Sequence, residues 1–298
     1  MPDRLNARIG RTMPSPLFGL LVEGPTAIGS GEVRRVPWPR MPRAVWLLTA
    51  LFVALWPHWI YVARRLVDGS DEPWGILAWL TVVVLLLRDH ALLAQPTRSA
   101  LVASAMLAII AAAAQLVLPD LAAAALAMLA LGLYLVHALR RPATPLIVLL
   151  LLALPIIASL QFYLGFPLRV LVAHASAWML WIGGLDATAA GASIVVDGTT
   201  VLIDAPCAGI GMLWLGSYAA ALLSYLQRTD ARRTLVNGAV AALLVLLANI
   251  VRNTILFFPE AGLVAWPAWS HEAVGLAAFM AAIAPLVLFT GVVSRSDK

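Results

Sequence analysis

Leu235-Val-Asn-Gly-Ala-Val-Ala-Ala-Leu-Leu-Val-Leu-Leu-Ala-Asn249-Ile-Val-Arg252-Asn253-Thr-Ile-Leu-Phe257 decides the fold of this chain. A helix of this length crosses the hydrocarbon core of a bilayer, which takes about 20 mostly apolar residues. In lipid the backbone must satisfy its own hydrogen bonds, and a helix does so without partners. One charge interrupts the run. An arginine inside a spanning helix costs roughly 2.5 kcal/mol or more, so it is usually there for function. Asn249, Arg252 and Asn253 stand at i, i+3 and i+4, on one face that must look into a bundle of other helices. The bland alternative is an arginine snorkelling from near the helix end, with Phe258 about one and a half turns away. Two flanking asparagines would have no purpose on a lipid-facing stripe.

The rest of the chain supplies the bundle. It has 298 residues, 62% hydrophobic and 12% charged, against roughly 45–50% and 25% in an average soluble domain. Apolar runs predict eight transmembrane helices, at about 44–63, 74–87, 99–118, 121–138, 145–164, 207–226, 235–257 and 273–293, with the second the shortest. The fold class expected is an all-α polytopic membrane protein. Residues 1–43 carry seven arginines with Pro, Gly and Ser and no long apolar run. They are read as a flexible basic cytoplasmic tail, and 44–298 as one membrane domain.

Residues 168–185 are also apolar, but Arg169, Ala173 and Ser176 make a small stripe at helical spacing, as on a helix lying in the membrane interface. With that helix flat, 16 of the 20 Lys and Arg residues fall on one side, with both termini. The positive-inside rule makes that side cytoplasmic and predicts a multi-pass protein of the cell membrane. The basic residues are scattered over loop ends rather than gathered on one face. The net charge of +5 therefore points to the lipid bilayer as partner and not to nucleic acid.

Between the flat helix and the sixth span lies Ser193-Ile-Val-Val-Asp197-Gly198-Thr-Thr-Val-Leu-Ile-Asp204. Asp-Gly between two β-branched runs predicts a hairpin over 193–204, because a type I′ turn needs positive φ at both central residues. It leads into Asp204-Ala-Pro-Cys207, with Asp204 a candidate N-cap and Cys207 at the start of a spanning helix. Cys207 is the only cysteine, so no disulfide forms within the chain. A free cysteine is most often a small buried hydrophobe. A helix start favours the reactive thiolate, while the charge of Asp204 opposes it.

His271 precedes the last span, and Ser270 beside it is a candidate cap. Of five histidines, the charge-derived topology puts only His174 and His271 firmly toward the outer face. Cys207, Arg252 and His271 thus come from three helices to one depth, on the extracytoplasmic side. A thiol and an imidazole suffice for acyl transfer, and a guanidinium can hold the developing oxyanion. No metal-ligand spacing and no cofactor motif is present.

Three segments, Ala205-Pro-Cys-Ala-Gly-Ile210, Asn249-Ile-Val-Arg-Asn253 and His271-Glu-Ala-Val-Gly275, resemble in order and spacing the exosortase/archaeosortase membrane proteins. Phe166-Pro-Leu-Arg169 and Asp71-Glu-Pro-Trp-Gly75 add to the likeness, which runs from about residue 44 onward. The resemblance implies a transmembrane cysteine protease or transpeptidase with Cys207 as nucleophile, His271 as acid/base and Arg252 acting as the sortase arginine does. Asn249, Asn253, Asp204, Gly209 and Arg169 become supporting or substrate-site residues. The implied partners are membrane-anchored exported proteins with a carboxyl-terminal sorting signal: a short Pro-containing motif, a transmembrane helix and a basic tail. Ala208 departs from the pattern, since many members have Ser after the cysteine. Two other classes stand beside this reading. One is a non-catalytic component of polysaccharide or lipid export, with Arg252 and the asparagines binding an anionic headgroup. The other is a small-molecule transporter, against which no matched pair of broken helices is found.

Overall fold

A computed structural model describes residues 43–69, 73–267 and 269–295, and the side chains as far as 291. The expected tail, 1–43, lies outside the described residues apart from Arg43, as do Asp71 and Glu72. The elements are α1 (Arg43–Ala54), α2 (Trp56–Val67), α3 (Trp74–Arg88), α4 (Arg98–Ala114), α5 (Asp120–Ala138), α6 (Thr144–Leu152), α7 (Ile157–Ile182), β1 (Ala187–Ala190), β2 (Ser193–Val196), β3 (Thr199–Leu202), α8 (Ile210–Leu226), α9 (Ala231–Glu260) and α10 (Ser270–Arg295). The architecture is helical, as the sequence leads one to expect, with one small sheet.

Eight full-length spans are not what the helix lengths give. Five helices among the described residues are long and apolar enough to cross a membrane: α5, α7, the stretch Ala205–Leu226 that includes α8, α9, and α10 as far as Gly291. A sixth forms if α1 and α2 act together, although they bend by 64° at the break between them. Pro57, in the first turn of α2, removes a backbone donor and crowds the carbonyl four residues earlier. Helix α3 has 15 residues and α4 has 17 residues. Both fall short of the roughly 20 that a perpendicular crossing takes.

The largest correction concerns 145–185. The predicted span 145–164 ends early, because α6 stops at Leu152 before Pro155, and a new helix begins at Ile157. The predicted flat helix is no separate element. It is the later part of α7, which runs unbroken through Pro167. A proline within a membrane helix is tolerated where neighbouring groups satisfy what it frees. The supposed interfacial stripe is a packing face: Ala173 and Ser176 are fully buried, and Ser176 Oγ donates to the Ile250 carbonyl of α9 at 3.2 Å. Small residues mark close helix contacts in membranes as well as headgroup faces.

The hairpin is where the sequence put it. β2 and β3 pair antiparallel on either side of Asp197 and Gly198. Their φ angles, 49° at Asp197 and 79° at Gly198, are both positive, as a type I′ turn requires. A further strand, β1, pairs with β2, giving the order β1-β2-β3. The sheet's inner face (Ile194, Val196, Val201) packs with Val172 and Leu180 of α7, Phe257 of α9 and Cys207 in one apolar cluster. A second cluster, around α5 and α6, holds Met128, Leu131, Leu146 and Leu149. At its edge, Arg141 donates to Asp89 Oδ2 and to the Tyr225 carbonyl, its guanidinium lies 3.8 Å over the Tyr225 ring, and Tyr225 Oη donates to Asp89 Oδ2 at 2.7 Å. That group of residues ties the end of α8 to the loops after α3 and α5.

Candidate active site

Cys207 does not begin α8 as expected. It rides on a short 3₁₀ turn, Ala205–Ala208, and α8 starts only at Ile210. The break is Gly209, at φ +84°, in the left-handed region that an L side chain rarely adopts. Asp204 precedes the turn with extended backbone, but its exposed carboxylate makes no capping bond. Its carbonyl instead accepts from Cys207 N at 3.0 Å.

With the helix interrupted, the Cys207 carbonyl takes its partners from α9. Asn249 Nδ2 donates to it at 3.0 Å and Asn253 Nδ2 at 3.2 Å, the latter also reaching the Asn249 carbonyl at 2.8 Å. From α7, Gln161 Nε2 donates to the Ala205 carbonyl at 3.3 Å. The turn bearing the thiol is therefore clamped from two helices. Gly209 lets the clamp close: a Cβ there would lie 2.7 Å from Asn249 Nδ2.

Arg252 is 8% exposed, so it does not snorkel out of the bundle. Its Nη2 donates to His271 Nε2 at 2.8 Å, while Cys207 Sγ lies 4.0 Å from the same nitrogen. A guanidinium only donates, so Nε2 is an acceptor and the neutral imidazole carries its proton on Nδ1. Nδ1 looks toward Glu260 Oε1 at 3.7 Å, an ion-pair distance rather than a hydrogen bond. His271 and Gly275 are one turn apart on α10 and both meet Arg252, since a Cβ on Gly275 would stand 3.3 Å from Arg252 Nε. Ser270 does not cap α10 by accepting; its hydroxyl donates to the Pro267 carbonyl at 2.7 Å.

Five of the eight residues singled out in the sequence thus meet through hydrogen bonds or sulfur contact: Cys207, Arg252, His271, Asn249 and Asn253. Gly209 joins them by close approach. Asp204 flanks the turn without a side-chain bond to it. Arg169 turns back on its own helix, with Nε on the Gly165 carbonyl at 3.3 Å and its guanidinium 5.8 Å from the Phe166 ring. Sequence reasoning missed Gln161 and Glu260. Glu260 carried a faint signal as the last acid before the loop to His271. Beside the turn, an apolar groove of about 230 Å³ opens between α7, α8 and α9, lined by Leu168, Gly209, Leu213, Leu243, Leu246 and Asn249.

Comparison with known protein families matches residues 66–288 to the transmembrane exosortase model. The chain belongs to the transmembrane exosortase family. The match takes in Cys207, Arg252 and His271, and the exosortase family is associated with processing of carboxyl-terminal sorting signals. Neither the curated proteins nor the solved structures give a match. Family membership together with several long apolar helices makes this exosortase-family chain a multi-pass membrane protein.

Proposed function

We propose that the chain is a membrane-embedded cysteine peptidase or transpeptidase that cleaves the carboxyl-terminal sorting signal of exported, membrane-anchored proteins. The observation that carries this reading is the meeting of Cys207 Sγ, His271 Nε2 and Arg252 Nη2, from three separate elements, around one imidazole nitrogen. The Cys207 thiol passes its proton to His271 Nε2 as sulfur attacks the scissile carbonyl. The imidazolium then returns that proton to the leaving amine, and a thioester remains for water or an amine to resolve. Arg252 has two tasks in this sequence. At rest it donates to Nε2; when a substrate carbonyl arrives, the guanidinium turns to the developing oxyanion and the nitrogen becomes free to act as base. Asn249 and Asn253 hold the turn that aims the sulfur. Arg228, Arg232 and Arg233 stand at or just before the start of α9 and Arg295 ends α10, at the far ends of these two helices from Glu260 and His271; the positive-inside rule then supports a cytoplasmic carboxyl end and a site at the extracytoplasmic face.

The test is cleavage of a tagged exported protein from the same genome that ends in a Pro-containing motif, an apolar helix and an Arg-rich tail. Cys207→Ala and Cys207→Ser each abolish its shortening while the enzyme still inserts. Undiminished processing in both variants would remove the thiol from the mechanism.

A further inference from the structure

We infer that Glu260 is a positioning residue for His271, converting the thiol–imidazole–guanidinium site into a four-membered relay; this rests on the acyl-transfer reading above. The tautomer of His271 is fixed by its neighbour. Arg252 Nη2 donates to Nε2 at 2.8 Å, so the imidazole proton sits on Nδ1. Facing Nδ1 is Glu260 Oε1 at 3.7 Å. The groups around the ring are then Arg252 and Glu260 from α9 and Cys207 from the 3₁₀ turn, with Asp204 flanking that turn and Glu272 next along α10. Of the three acids, only Glu260 makes an ion-pair contact with the imidazole among the described residues.

The arrangement follows from the chain path. Helix α9 runs 30 residues. At about 1.5 Å per residue that is about 45 Å, which outlasts a hydrocarbon core of about 30 Å. Its last residue, Glu260, ends the same helix that carries Arg252 about two turns earlier. The short loop to α10 brings His271 back between them. One helix thereby offers a cation to one ring nitrogen and an anion to the other. When Nε2 takes the thiol proton, the imidazolium gains a carboxylate partner at Nδ1. Catalytic hydrogen bonds are often long before substrate binds.

Cys207 is the only cysteine, so its alkylation by a small membrane-impermeant thiol reagent reads thiolate formation without any peptide substrate, in the fraction of molecules where the Arg252 bond to Nε2 has opened. The experiment uses the full chain in proteoliposomes at one neutral pH, on the wild type, Glu260→Gln, Glu260→Asp, His271→Gln and the double variant. Gln is isosteric and removes only the charge. Glu260→Gln should slow alkylation about tenfold, a modest part of the roughly 10²–10⁴-fold that general acid–base groups contribute. Glu260→Asp should recover most of it, and Glu260→Gln should add nothing in the His271→Gln background. A carboxylate acting only as a nearby anion would repel the thiolate, so Glu260→Gln would then speed alkylation. That result, an unchanged rate, or equal slowing with and without His271 would each overturn the inference. Because the rate needs no sorting signal, its outcome is separable from failure of the Cys207 variants to alter processing.

Discussion

Replacing Gly209 by Ala tests whether the clamp on the Cys207 turn is real. Two costs arise at this position. The left-handed φ of +84° penalises an L residue by about 1–2 kcal/mol. The new Cβ would meet Asn249 Nδ2 at 2.7 Å, which forces that amide off the Cys207 carbonyl. The carbonyl keeps Asn253 as donor, so the second loss is chiefly one buried hydrogen bond, about 1 kcal/mol. The sum is about 2–3 kcal/mol. Asn249→Ala removes the obstacle, and in that background Gly209→Ala should cost only the backbone share. Equilibrium unfolding in mixed micelles across the four-protein cycle should therefore give a coupling energy of about 1 kcal/mol, above the roughly 0.3–0.5 kcal/mol within which independent sites add. Additive costs would mean that Gly209 and Asn249 do not meet, and the account of how α9 holds the Cys207 turn would fall.

Two further outcomes are expected. Arg252→Lys keeps a charge but loses the planar fork that meets His271 and, in the proposed reaction, the oxyanion. Signal cleavage should fall about 10²-fold, as on removal of an oxyanion donor, with insertion unchanged; a variant retaining most of its activity would show that charge alone suffices. Asp89→Ala leaves the Arg141 guanidinium, whose side chain is 7% exposed, with the Tyr225 carbonyl and ring but without its anion, and should cost about 3 kcal/mol in unfolding free energy, the low end for breaking a buried pair. The alkylation rate of Cys207 in the folded protein should not change, because the bonds joining Asp89, Arg141 and Tyr225 do not reach the site.

What the sequence disclosed follows from how local each signal is. The face shared by Asn249, Arg252 and Asn253 is a property of helical period, and all three side chains are buried together. Asp197-Gly198 carries its turn in two residues. β1 escaped notice because Ala187-Thr-Ala-Ala190 lacks the β-branched run that marks a strand, and its pairing with β2 is tertiary. Prolines misled in opposite ways. Pro155 stands where helices part, whereas Pro167 is absorbed within α7. Without neighbours, the two read alike. Glu260 and His271 are separated by a proline and a loop, so only the return of α10 against α9 brings them together. Asp89 and Arg141 likewise show no local pattern linking them.

The bond from Arg252 to His271 Nε2 has a bearing on how long the Cys207 thiol lasts. While the guanidinium occupies that nitrogen, the imidazole takes the thiol proton only in the molecules where that bond has opened. The thiolate is the form that peroxide carries to sulfenic acid and beyond. A chain with a single cysteine has no resolving thiol of its own to reverse such damage. Keeping that fraction small until a carbonyl draws the arginine away would spare, in the proposed reaction, a sulfur that the chain cannot itself restore.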